Sequence, residues 1–202
     1  MVARRPFDCI QFASENGTWG VFVVDAAGGQ PRRVTPPDTS AYTTSWSRDG
    51  KWLYYSTNAS GRLDLWRIPA VGGMSVQVTD SGGFIGMESW DGKALYYYKT
   101  REQGSTTLFV RGLPSGTERV ASAAAVNDTL GTGRKGVYFF AKGPEGSYAL
   151  QLLPPGALRA RTLTKLQATP NLRLSVSPSG RTVLFGAAKP AAADLVLIEN
   201  FR

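Results

Sequence analysis

A pattern that returns about every 43 residues constrains this chain more than anything else in it, because self-similarity at that period means one structural unit laid down repeatedly. The segment SWSRDGKWLYYS (residues 45–56) overlays ESWDGKALYYY (88–98), and GTGRKGVYFF (131–140) and SVSPSGRTVLFG (175–186) continue the series. An incomplete copy, CIQFAS (9–14), lies upstream of the first full one. The copies run over residues 5–35, 37–79, 80–121, 122–164 and 165–202, and together they make a single domain, 1–202.

Each copy has the same internal order. An apolar approach segment enters a turn of Asp-Gly or Ser-Gly type (Asp49-Gly50, Asp91-Gly92, Ser179-Gly180), residues that accept the positive φ of a tight hairpin. A second strand rich in Tyr and Phe follows. A polar loop leads to a third strand, seen as WGVFVVD, LDLWRIP, TLFVRGL, YALQLLP and ADLVLIE. Gly-Gly or Pro turns then precede a short closing strand, PRRVT, SVQVT, TERVA or ARTLT. Four short strands per copy, without helix signals, predict an all-β fold, a β-propeller of four-stranded antiparallel blades. A sandwich or barrel does not require the hairpin and the terminal Val-Thr to recur in register. The first copy lacks its approach strand and the last its closing strand, so 18 strands are expected in five copies. Two readings stay open: a five-bladed ring with imperfect closure or, the favoured one, the carboxyl-terminal part of a larger propeller.

Composition agrees with many turns and many aromatic strand positions: 23 Gly, 12 Pro, 5 Trp, 8 Tyr and 9 Phe among 202 residues. Tyr54, Tyr55, Tyr96, Tyr97, Tyr98, Phe139 and Phe140 fall on second strands, where large side chains fill the wedge between neighbouring sheets. No apolar run approaches the roughly 20 residues of a membrane span, and the amino terminus has no secretory signal. The chain as given therefore reads as soluble and cytoplasmic, or extracytoplasmic within a longer parent. One cysteine, Cys9, excludes an internal disulfide framework and reads as a buried thiol. The net charge of +8 is uneven: residues 129–191 hold nine basic residues against one acid, Glu145, and the rest balances. A basic half is a solvated face or a surface for a polyanion.

The units at residues 47–79 (SRDGKWLYYSTNASGRLDLWRIPAVGGMSVQVT) and 177–202 (SPSGRTVLFGAAKPAAADLVLIENFR) resemble the WD-like repeats of the bacterial TolB-like β-propeller family, which are similar to the propellers of prolyl oligopeptidase relatives. The ending DLVLIENFR (194–202) resembles the carboxyl terminus of bacterial propeller proteins fused to winged-helix or kinase domains. The resemblance implies a sensory or interaction module. Two departures stand out. Gly133-Arg134-Lys135-Gly136 replaces the Asp-Gly turn in the third full copy, where a longer or looser hairpin is expected, and the first copy's turn is lost.

The sequence contains no histidine, which removes Ser-His-Asp and Cys-His catalysis and the usual zinc sites. It also contains no G-x-S-x-G elbow. Asp49 and Asp91 lack the spacing of a calcium loop and read as turn residues. No catalytic residue, metal site or cofactor is expected. Candidate binding residues are those preceding the innermost strands, whose loops ring the mouth of a propeller's channel: Tyr42, Phe84, Glu88, Asn127, Asp128 and Arg173. The expected function is a non-catalytic scaffold, a sensory or regulatory module that binds a protein or small ligand at one propeller face. Its alternatives are the propeller half of a prolyl-oligopeptidase-like serine peptidase, and nucleic-acid or other polyanion binding through the basic half. Self-association through incomplete terminal blades is a further expectation.

Overall fold

The structure is a computed structural model that describes residues 7–13, 17–100, 106–126, 128–189 and 192–199. Over these residues the chain forms five antiparallel sheets of three, four, four, four and three strands. The first holds β1 (Phe7–Ala13), β2 (Trp19–Asp25) and β3 (Arg32–Arg33). The second holds β4 (Tyr42–Trp46), β5 (Trp52–Thr57), β6 (Asp64–Pro69) and β7 (Val76–Gln77). The third holds β8 (Phe84–Glu88), β9 (Ala94–Thr100), β10 (Thr106–Gly112) and β11 (Glu118–Ser122). The fourth holds β12 (Gly131–Gly133), β13 (Gly136–Lys142), β14 (Tyr148–Leu153) and β15 (Arg161–Leu166). The fifth holds β16 (Thr169–Val176), β17 (Thr182–Lys189) and β18 (Ala192–Glu199). Every sheet runs in chain order, so each is a meander, and the 18 strands expected from the repeat are the strands observed.

The repeated sequence signals act through repeated hydrogen bonds. In the second sheet the Ser47 hydroxyl donates to Asp49 Oδ1 (2.6 Å) and accepts the Trp52 amide (2.9 Å), while Asp49 Oδ1 also accepts the Lys51 amide (3.0 Å). Ser89, Asp91, Lys93 and Ala94 repeat this set at 2.6, 3.0 and 3.1 Å. These bonds, the serine hydroxyl's first, hold both carboxyls below the usual carboxylate range. The closing Val-Thr works likewise. Thr35 Oγ1 accepts the Val21 amide (3.0 Å) as Val34 N donates to Val21 O (2.8 Å), and Thr79 with Val78 treats Leu65 identically at 2.9 and 2.8 Å. In the first two sheets a buried threonine thus follows the closing strand and satisfies the amide the strand no longer reaches.

One expectation is corrected. The turn between β12 and β13 is shorter than its counterparts, not longer: Gly133 pairs with Gly136, leaving two residues in the loop. Gly136 has φ +136°, and a Cβ there would overlap the carbonyl oxygen of Leu153, so glycine lets the strand restart at once.

The chain divides into two compact units, Met1–Met87 and Glu88–Arg202. In the first, Val21, Val23 and Val34 pack against Leu53, Tyr55 and Ile68 of the next sheet. Gly86 of β8 admits the side chain of Leu65, which a Cβ would strike. In the second, Tyr138, Phe140, Leu150 and Leu152 meet Leu174, Val183, Phe185 and Ala187, with Phe140 and Phe185 edge to face at 4.7 Å between centroids. The second-strand aromatics Tyr54, Tyr55, Tyr96, Tyr97, Tyr98, Phe139 and Phe140 are all buried, as wedge-filling requires. The side chain of Cys9 lies outside the described residues. No helix among the described residues is long and apolar enough to cross a membrane.

Candidate functional site

Within a blade, antiparallel order puts the first and third connections at one strand end, here termed the turn end. Ala70 N to Lys51 O and Leu113 N to Lys93 O, both 2.8 Å, tie those connections together. The middle connection and the linker between blades lie at the other, the linker end.

The innermost strands share a distortion near the linker end. In β4 Tyr42 pairs with Ser56 and Ser45 with Tyr54, so the strand carries one residue too many, a β-bulge, with Thr43 at φ 48°. Ile85 repeats the left-handed backbone in β8 (φ 52°), and Asp128 does so ahead of β12 (φ 63°). The register of β16 breaks between Asn171 and Ser175. Left-handed backbone is costly for β-branched Thr and Ile, and such strain persists where the surroundings enforce it. The Thr43 hydroxyl is hydrogen-bonded to Ser56 Oγ (2.8 Å), and Ser45 Oγ donates to Gly86 O (2.5 Å). Near Asp128, Thr129 Oγ1 donates to Val126 O (2.7 Å) and accepts the Phe140 amide (3.1 Å). The Tyr98 hydroxyl lies 3.5 Å from Thr129 Oγ1, and burial pushes its ionisation up.

Four candidate positions fall at these points of distorted backbone or register. Tyr42 and Phe84 each stand one residue before the left-handed position, Asp128 occupies one, and Arg173 lies in the β16 break, its side chain outside the described residues. Asn127 also lies outside them. Glu88 is different. It closes β8, so it lies about 13 Å along the strand from Phe84 and adjoins the turn end, where it is buried. The strand begins earlier than the sequence reading placed it, because Phe84, Ile85 and Met87 already belong to its apolar run.

At the linker end of the first unit two large apolar side chains join the candidates. Trp19 is 44% exposed, Tyr42 38% and Leu63 39%, with Phe84 half-buried at the start of β8. Ala41 N donates to Trp19 O (2.9 Å) and Gly83 N to Leu63 O (3.0 Å), so each exposed side chain neighbours the start of an inner strand. Trp19 and Leu63 escaped the sequence reading. Their signal was available: both are bulky apolar residues two positions before the buried Val21 and Leu65 of a third strand, in otherwise polar loops.

No protein-family model and no curated protein matches the sequence. Solved structures do. A protein assigned as TolB from Agrobacterium tumefaciens superposes with a TM-score of 0.76 at 17% identity, over 95% of this chain and 76% of that one. TolB from Acinetobacter baumannii gives 0.74 at 16%, over 90% of this chain and 46% of its own length. The fold is that of the TolB-like β-propellers. The chain spans about half the length of the A. baumannii TolB. A prolyl endopeptidase structure also matches, with a TM-score of 0.60 at 16% identity over 90% of this chain and 31% of that one. The fold is thus found both in TolB and in a structure of prolyl endopeptidases. Among the described residues no three His, Cys, Asp or Glu side chains are grouped as a metal site would need.

Proposed function

We propose that this chain is a non-catalytic TolB-like propeller scaffold, a sensory or regulatory module that binds a protein or small apolar ligand at the linker ends of its inner strands. The observation that carries the reading is the exposed set of Trp19, Tyr42 and Leu63 beside the left-handed Thr43 and Ile85. Large apolar side chains held at a solvent-facing edge by a bulged, strained strand serve contact rather than packing. The sequence favours binding over chemistry because it has no histidine to act as a general base near neutral pH. Fragment screening against the ¹⁵N-labelled chain tests this. Amide shifts that cluster at Trp19, Tyr42, Leu63 and Phe84, and vanish in the variant Trp19→Ala/Tyr42→Ala, are expected. Shifts scattered elsewhere would refute the site, and cleavage of a peptide substrate by the purified chain would refute the non-catalytic role.

A further inference from the structure

The basic excess of the second unit is segregated by strand end. At its turn end an inner row of cations is formed by exposed Lys93, Arg134, Lys135 and Arg181, one or two from each of three consecutive blades. The row is knit together. The Arg134 guanidinium lies 5.5 Å from the centre of the Trp90 ring on the preceding turn, which holds it against the surface. On its other side Lys135 Cβ and Cγ lie where a side chain on residue 180 would begin, and the Gly180 carbonyl accepts the Tyr138 hydroxyl (3.1 Å). An outer row follows the third connections: Arg119, whose Nη2 reaches the Ala157 carbonyl of the next blade (3.5 Å), then Arg159 and Arg161.

Three acids share this end: Glu88 is buried, and the other two are engaged by neighbours. Asp91 is held by Ser89 and the Lys93 amide, and Glu118 by Lys99 (2.7 Å) and the Tyr97 hydroxyl. At the linker end of the same unit the excess is small: Lys142 and Lys165 face Asp128 and Glu145, and Lys99, near the end of β9, is paired with Glu118. A solubilising charge excess works equally well when spread out, and gathering it on one face adds self-repulsion. The arrangement therefore asks for a polyanion. Most of these cations are arginines, whose forked guanidinium groups suit phosphate oxygens better than lysine's point charge.

We infer that the turn end of the second unit binds the phosphate backbone of a nucleic acid, without reading its bases. This goes beyond the scaffold reading, since it concerns the opposite strand ends from the inner-strand bulges, and either can fail alone. The test titrates the full chain against a fluorescein-labelled single-stranded RNA and a DNA duplex, each of about 20 nucleotides per strand, from about 50 to 200 mM salt. Affinity for at least one probe should fall with a log–log slope of about −3 or steeper. Arg134→Gln/Lys135→Gln/Arg181→Gln should weaken binding roughly tenfold or more and make the slope shallower by about 2 to 3. Lys142→Gln/Lys165→Gln should change neither, and Arg134→Lys/Arg181→Lys, which keeps the charge but not the fork, should keep the native salt slope while binding more weakly than the native chain and more tightly than the triple glutamine variant. Binding absent at the lowest salt, binding equal in both glutamine variants, or tighter capture of polyglutamate or phosphatidylserine vesicles would each overturn the inference.

Discussion

Asp64 shows how much one side chain can organise. It is fully buried, yet its carboxylate collects Ser60 Oγ (2.9 Å), Arg62 Nε (3.3 Å), Thr79 Oγ1 (3.2 Å) and the Gly82 amide (2.8 Å), joining the middle connection to the linker. Burial opposes its ionisation, but the hydrogen bonds from Ser60, Gly82, Thr79 and Arg62 outweigh that and hold the carboxyl below its ordinary value of 3.8. Ionisation therefore favours the folded state. The contribution is fully present above the unfolded-state value and is lost as pH falls through the folded one. Asp64→Asn is expected to cost about 1–3 kcal/mol at neutral pH in urea unfolding, with the gap to the native protein closing below about pH 4. A pH-independent gap would mean that packing, not charge, is what the carboxylate supplies.

At the level of strands and turns, the repeat made most of the fold legible. Ser-x-Asp-Gly and Val-Thr name their own hydrogen bonds, so the hairpins at Asp49 and Asp91 and the closing strands at Thr35 and Thr79 follow from residue chemistry. The tight Gly133–Gly136 hairpin was not legible, because a Gly-x-x-Gly loop is compatible with several lengths until Leu153 is seen against it. Gly136→Ala, forced both into a left-handed backbone and onto that carbonyl, should cost about 3 kcal/mol or more, whereas a loss under about 1 kcal/mol would show that the turn relaxes freely. The inner-strand bulges were half-visible. The sequence marks Tyr42, Phe84, Asp128 and Arg173 as loop residues, but the left-handed backbone and the register breaks beside them depend on how strands pair, which no local pattern encodes. Replacing Thr43 by Gly should relieve its left-handed strain, raising stability by up to about 1 kcal/mol, less whatever the Ser56 hydrogen bond contributes. A clear loss would show that this bond outweighs the strain.

For the molecule as a whole, stacked blades make stability a matter of neighbours, since no sheet covers both of its own apolar faces. The second unit offers the sharpest case. Phe140 and Phe185 sit on second strands of adjacent sheets, both buried and in edge-to-face contact, inside a cluster drawn equally from the two. Truncating either should cost about 3–5 kcal/mol, and a double-mutant cycle should return a coupling of about 0.5–1.5 kcal/mol. The loss should also be local. In Phe140→Ala, amide hydrogen exchange should accelerate in β13 and β14, and equally in β16 and β17, which did not change, while β5 and β6 keep more of their protection. Acceleration confined to β13 and β14 would mean that each sheet is stable by itself, which the shared cluster argues against. Acceleration of equal size in every strand would mean that the chain opens only as a whole, and the nearest-neighbour account of its stability would have to be abandoned.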